Sequence, residues 1–395
     1  MFPSSLAPDQ LRYCLYPTSL RPGNGIRVLG SGDRAYEFML QAIRGAQSEV
    51  ELETYILADD RTGKEFQQAL AERARAGVKV RVMFDGFGSA TLPDAFVRVL
   101  REAGVETLEF RPLGPWRARW GWNRRDHRKI LVVDRGRAFT GGVNVADEYR
   151  SSAAGGGNWQ DMHAEVVGPV AADLHALFAD TWRREKGGPI PPQLPPSLGR
   201  EAEASRLRAE LGRDVAAQVL GNHRYRLRGA IRKAYVHAID RARERIVLAN
   251  AYFVPDRLIR RALSAAARRG VDVQILVASE TDVMPIYYAS RATFQGLLAA
   301  GVRLYEMGGA VLHAKCASVD RRWGLIGSYN LDHRSFFHNL EAAVTFVDGA
   351  VSAHLEEALA HHRSLCTPVD PAAWPERPWT QKLLERFWYL FRDFL

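Results

Sequence analysis

Short apolar runs alternate with stretches of helical period along this chain, and they do so twice in the same order. In the first half the pattern predicts a strand at 25–29, a helix at 34–46, a strand at 50–57 in which apolar and polar residues mix, a helix at 63–76 closed by Gly77, and a strand at 78–84. The second half repeats a helix at 228–242, a strand at 245–251, a helix at 256–269 closed by Gly270, and a strand at 271–277. Ala76-Gly77-Val78-Lys79-Val80 and Arg269-Gly270-Val271-Asp272-Val273 are the same turn written twice. Helices between strands imply mixed or parallel sheets with helices on their faces.

Between the halves, Gly187-Gly188-Pro189-Ile190-Pro191-Pro192-Gln193-Leu194-Pro195-Pro196 cannot continue a helix or a central strand, and the charged stretch 200–213 follows it. The expected organisation is a first domain at 1–187, a Pro-rich and charged linker at 188–213, a second domain at 214–370 and an amphipathic, aromatic C-terminal segment at 371–395. The 395 residues suffice for two cores, and 47% hydrophobic with 25% charged residues is a globular composition. A formal net charge of +9 favours anionic partners, phospholipid head groups or nucleic acid, without choosing between them. The three cysteines have no C-x-x-C spacing and suit a reducing interior. The N-terminal stretch has no signal-peptide core, and no window of about 18 consecutive apolar residues occurs, so any membrane contact is expected to be peripheral, on the cytoplasmic side.

One pattern carries the chemistry. His127-Arg128-Lys129 with Asp134 and His313-Ala314-Lys315 with Asp320 are both H-x-K-x₄-D, each opening an apolar strand. Gly141-Gly142-Val143-Asn144 and Gly327-Ser328-Tyr329-Asn330 follow at matched offsets, and all the matched positions lie 186 residues apart. A duplicated unit thus places the same side chains at the same place in two halves. Alternate strand residues share a face, so His127 projects with Lys129 and His313 with Lys315. Packed about a pseudo-two-fold axis, the halves bring two imidazoles and two ammonium groups to one cavity. That set suits phosphodiester chemistry: one imidazole attacks phosphorus, the other protonates the leaving alkoxide, and the lysines with Asn144 and Asn330 hold the non-bridging oxygens. The six motif residues His127, Lys129, Asp134, His313, Lys315 and Asp320 form the candidate catalytic set. Within it Asp134 and Asp320, at the far ends of apolar strands, look more like structural acceptors than reacting groups.

These residues resemble the phospholipase D superfamily, whose hallmark is two H-K-D motifs, and within it the bacterial cardiolipin synthases that lack N-terminal transmembrane helices. Glu51-Leu52-Glu53-Thr54-Tyr55, Ala249-Asn250-Ala251-Tyr252-Phe253, Trp159-Gln160-Asp161 and Asn339-Leu340-Glu341 resemble that family's motif surroundings. The resemblance implies an α/β fold: two similar phospholipase D-like α-β-α sandwich domains related by a pseudo-two-fold axis, with the active site between them. It implies Asp161 and Glu341 as carboxylates orienting the histidines, and glycerophospholipid substrates. It implies neither metal nor other cofactor, no obligate nucleic acid, and a site that a monomer completes. His127 is assigned to attack and His313 to leaving-group protonation, an order that the pseudo-symmetry leaves open, as side chains leave open transfer, hydrolysis and nucleic-acid cleavage. The expected product of transfer is cardiolipin.

Two segments bear on membranes. The run 115–125 interleaves Trp116, Trp120 and Trp122 with Arg117 and Arg119, a composition that fits an anionic bilayer, a single-stranded nucleic acid or a covering loop. The segment 379–395 is amphipathic, with Trp388 among its aromatics, and fits either interfacial anchoring or packing on the protein's own body. Arg334 is a candidate phosphate contact, Tyr55 and Tyr252 read as core residues, and His361-His362 as an exposed pair.

Overall fold

The computed structural model describes residues 11–114, 123–191, 214–222, 229–281 and 283–394. The linker interval 188–213 therefore lies mostly outside the described residues.

The first half runs β1 (Arg21–Leu29), α1 (Gly32–Gly45), β2 (Glu49–Thr54), α2 (Arg61–Arg75), β3 (Lys79–Asp85), α3 (Asp94–Glu102), β4 (Glu106–Phe110), β5 (Ile130–Val133), β6 (Arg137–Gly141), β7 (His163–Val167) and α4 (Pro169–Arg184). The second runs β8 (Val215–Gly221), α5 (Ala230–Arg241), β9 (Arg245–Asn250), α6 (Arg257–Arg268), β10 (Asp272–Ala278), α7 (Met284–Arg291), α8 (Phe294–Leu298), β11 (Arg303–Met307), β12 (Lys315–Val319), β13 (Trp323–Gly327), α9 (His333–Phe337), β14 (Ala342–Val347) and α10 (Gly349–Ser364). After it come β15 (Cys366–Pro368) and α11 (Trp379–Leu390). Local chemistry sets these limits. Asp60 and Asp256 cap α2 and α6 by accepting from backbone N–H groups of the first turn. Gly77 and Gly270, at φ +90° and +89°, supply the left-handed residue after each helix.

Among the described residues, fifteen strands form one sheet in the order β15-β11-β10-β9-β12-β13-β14-β8-β1-β7-β6-β5-β2-β3-β4. Read outward from the β8–β1 junction, the two halves have the same order; only β15 has no counterpart. The fold class is the one the duplication implies, with both sheets joined edge to edge rather than kept apart. The strands β2, β3 and β4 pair in parallel, as do β9, β10 and β11, and the central pair on each side, β2 with β3 and β9 with β10, is almost wholly buried, as strands covered on both faces are. One core lies under α1, α2 and α3, another under α5 and α6, and a third, shared by both halves, under α4 and α10.

The polar residues of β2 have a different fate from that of an exposed strand face. Glu49, Glu51 and Glu53 are buried, facing Arg81 and Arg135, His175 and Arg128 respectively. Their β9 counterparts are Arg245, Val247 and Ala249, two of which join the apolar core instead. Glu49, Glu51 and His175 bring oxygen and nitrogen atoms within 4.8 Å of one another, but the two guanidinium groups already neutralise the glutamates.

The motif aspartates close two hairpins. Asp134-Arg135 and Asp320-Arg321 all have φ near +50°, the two-residue turn that matches strand twist. Asp134 accepts from the backbone N–H groups of Gln47, Ser48 and Glu49 at 2.7–2.9 Å. Asp320 accepts from Arg243, Glu244 and Arg245, each at 2.8 Å, and from the Tyr13 hydroxyl. Each aspartate thus holds the start of the strand beside its motif. Asp134→Ala leaves three N–H groups to find water, and the expected cost is about 2–3 kcal/mol in urea unfolding; an unchanged midpoint would show that the anchor carries no load.

Candidate active site

The two motif histidines meet because each half braces the other. The segment leading into the first motif pairs with the segment after β13: His127 N–H donates to Leu340 O at 3.0 Å, and Leu340 N–H to Arg125 O at 2.8 Å. The lead-in to the second motif pairs with the segment before β7: Gln160 N–H donates to Val311 O and His313 N–H to Gln160 O, both at 2.8 Å. The carboxylates cross over with the backbone. His127 Nδ1 lies 3.1 Å from Glu341 Oε1, and His313 Nδ1 lies 2.6 Å from Asp161 Oδ2. Each histidine is oriented by the acid of the other half, which leaves Nε2 as the reactive nitrogen.

His127, His313, Asn144 and Asn330 share the walls of one cavity of about 340 Å³. Asn144 is largely committed: its oxygen accepts from Ile56 N–H at 3.1 Å and its amide donates to Tyr149 Oη. Asn330 Oδ1 has no hydrogen-bond partner among the described residues. Lys129 and Lys315 are not on the wall. They lie buried beside the histidines of their own motifs, Lys129 Nζ donating to His127 O at 2.7 Å and Lys315 Nζ standing 3.0 Å from His313 Nδ1. Arg334 is the guanidinium on the wall, held at 3.1 Å by Asn123. Tyr55 and Tyr252, expected in the core, line the cavity as well, because the chain turns out of β2 and β9 there. Tyr55 packs edge-on to His127, and Tyr149 and Trp159 pack against His313.

Asp134 and Asp320, carried in the motif set but read from the sequence as structural acceptors, sit at the opposite ends of their strands and bind backbone, because four residues of strand separate them from the lysines. Trp388, a membrane-contact candidate, is half-buried and packs against Val254, Ile286 and Ala289. His362 is buried and reaches Gly30 O, while His361 is exposed. Trp116, Arg117, Arg119, Trp120 and Trp122 lie outside the described residues.

The environment of the two acids differs. Ser328 Oγ donates to Glu341, Asn339 Nδ2 lies 3.4 Å from it, and Asn222 Oδ1 accepts the Glu341 N–H at 2.6 Å. Gly142 stands at the Ser328 position of the first half, and a Cβ there would collide with the Asp161 carboxylate. Ser328, Asn222 and Asn339 were not legible as site residues, although the Gly142/Ser328 difference at matched offsets was a signal of asymmetry. Burial pushes Glu341 up to about 7, against the pull of Lys129 and its hydrogen bonds. Burial acts in the same direction on Asp161, but His313, Lys315 and its hydrogen bonds hold it below the usual carboxylate range.

Burial, then the lysines, pushes the His127 imidazole well below 6.5. Burial and Lys315 lower His313 to about 4 despite Asp161, and burial lowers Lys129 to about 7. Burial and the neighbouring ammonium groups thus favour the neutral form of both imidazoles.

The chain matches the sequence model of the family described as "Cardiolipin synthase, PLD-like domain" over residues 39–154 and 235–363. It is 35% identical over 346 residues to cardiolipin synthase A of Pseudomonas syringae pv. syringae, covering 88% of this chain and 70% of that protein. It is 33% identical over 361 residues to cardiolipin synthase of Alkalihalophilus pseudofirmus, covering 91% and 70%. Among solved structures, phosphatidylserine synthase of Haemophilus influenzae has the same fold, with a TM-score of 0.70 at 15% identity over 98% of this chain and 100% of that one.

Replacing Lys315 by Met removes a charge that depresses His313, so the His313 pKa should rise from about 4 toward 6.5 in an NMR titration of labelled histidine. An unmoved value would assign the depression to burial and Lys129 instead.

Proposed function

The chain belongs to the cardiolipin synthase family of phospholipase D-like proteins, and on that premise we propose that it transfers a phosphatidyl group to phosphatidylglycerol through a phosphohistidine, forming cardiolipin. The observation that carries this reading is the pair of imidazoles on one cavity wall, each with Nδ1 engaged by a carboxylate and Nε2 left to react.

In the first step His127 Nε2 attacks phosphorus, and the bond from phosphorus to the leaving alcohol breaks. His313, protonated, gives its proton to that alkoxide. In the second step the hydroxyl of phosphatidylglycerol gives its proton back to His313 and attacks phosphorus, and the P–N bond breaks. The asymmetry of the acids supports this order. Asp161 remains an anion beside His313 and so stabilises an imidazolium there, whereas Glu341 is more readily neutral. An anionic phosphodiester in the cavity offsets the repulsion from Lys129 and Lys315, which restores the proton on His313 when substrate binds. In this reading Arg334 and the Asn330 amide N–H, both on the cavity wall, hold the non-bridging oxygens, with the lysines acting through their field.

No helix among the described residues is long and apolar enough to cross a membrane. Peripheral attachment at the cytoplasmic face fits the basic charge and the free thiols Cys14, Cys316 and Cys366. Both halves of the cavity come from one chain, so a monomer suffices, and the chemistry routes no step through metal or nucleic acid.

Purified protein incubated with phosphatidylglycerol vesicles should yield cardiolipin and glycerol by mass spectrometry. His127→Ala and His313→Ala should each lose turnover on the order of 10³-fold. Phosphatidic acid as the sole product would identify water as the acceptor and overturn transfer. The pH dependence of kcat/KM follows from the free site. Turnover needs His127 neutral, and its depressed pKa places the acid limb below pH 6.5. It also needs Lys129 charged, so activity should decline as pH rises through about 7. A profile with no decline between about pH 6 and about pH 9 would contradict the Lys129 assignment, and an acid limb above pH 6.5 would contradict that of His127.

A further inference from the structure

Helix α11 is built inside out. Its acidic Glu385 is 2% exposed, gripped by Arg377 through two bonds of 3.1 Å and approached by Arg291 of α7 at 3.5 Å. Trp388 and Tyr389 complete the inward side. The outward side carries Trp379 at 73% exposure, Leu383, Phe387 and Leu390 at 71%, with Phe394 at 79% in the turn beyond. These residues recur every three or four positions and form one stripe. A surface helix in water turns its apolar stripe inward and its charges outward. The reverse arrangement marks a surface with a non-aqueous partner.

Charge and position identify that partner. Helix α6 lies beside α11: Arg260 stands over the Tyr389 ring at 5.7 Å, and the two helices share the walls of a cavity of about 400 Å³. The outward side of α6 is an exposed ridge of Arg257, Arg261 and Arg268. Phe394, with Ile286 of α7 and Val283 just before it, also lines the catalytic cavity, so the apolar stripe ends at the mouth of the site. A second copy of the chain would present the same positive ridge, whereas an anionic bilayer presents the opposite charge.

We propose that α11 and α6 together dock the protein on an anionic phospholipid bilayer, the α11 stripe entering the boundary between head groups and acyl chains while the α6 arginines pair with lipid phosphates. The cavity mouth then opens at the surface that holds the substrate, and a head group reaches the histidines while its acyl chains stay in lipid. This rests on the lipid-transfer reading above and adds the surface that delivers the lipid.

Vesicle flotation tests it, using phosphatidylglycerol–phosphatidylcholine vesicles against phosphatidylcholine alone. The full chain is compared with L383S/F387S/L390S and with R257Q/R261Q/R268Q, none of which touches the catalytic groups. The wild type should float with anionic vesicles and lose binding in high salt. The serine variant should bind at least about 10-fold more weakly, and the glutamine variant should lose the preference for anionic lipid. Both should keep turnover of short-chain phosphatidylglycerol dispersed in detergent and lose it on vesicles. Wild-type flotation by both variants overturns the proposal. So does a serine variant that binds vesicles normally but shows a smaller species by light scattering, since the stripe then joins two copies. Thermal unfolding checks folding, and the glutamine variant decides alone if the serine variant is unfolded. Flotation as expected with no lipid turnover by the wild type would fail the transferase reading and leave the docking surface intact.

Discussion

The crossed bracing at the centre of the molecule is the constraint on which the rest depends. Two short backbone bridges, 125–127 with 340 and 311–313 with 160, tie each motif to the other half. They carry Glu341 to His127 and Asp161 to His313. Neither half alone holds a histidine with its orienting acid. The edge pairing of β1 with β8 and the shared core under α4 and α10 are what hold these bridges in register.

Burial then determines the chemistry. Two lysines, two imidazoles and two carboxylates are withdrawn from water together, and each pays a desolvation cost that only its neighbours offset. The result is a site poised to accept an anion, with imidazoles neutral until one arrives. Duplication alone would make the two histidines equivalent. The Gly142/Ser328 difference breaks that equivalence, because the serine hydroxyl reaches Glu341 while the glycine makes room for Asp161. Small departures from internal symmetry thus give the two histidines different electrostatic surroundings.

The C-terminal helix relates this site to its surroundings by the same logic of burial. An acid kept inside by two guanidinium groups fixes the rotation of α11, and that rotation puts leucine and phenylalanine outside. Polar satisfaction on one face therefore dictates apolar exposure on the other, at the rim of the cavity.

The sequence by itself determined the duplication, the α/β class and the paired histidines and lysines, because strand alternation, helical period and matched spacing are local properties written along the chain, while the two acids Asp161 and Glu341 came from the family resemblance alone. Only the tertiary structure decided that the acids cross between halves, that Lys129 and Lys315 stand behind the wall, and that Asp134 and Asp320 anchor strands. It also decided that Glu49, Glu51 and Glu53 are buried among cations, that Trp388 turns inward and that His362 is buried. The physical reason is common to all of these. Partner, burial and the direction a side chain faces are set by residues distant in sequence, brought close by sheet pairing and helix packing, from Glu49 and Arg81 at a separation of 32 residues to His127 and Glu341 at 214. Local pattern specifies which groups are available, and packing between the halves specifies which of them meet.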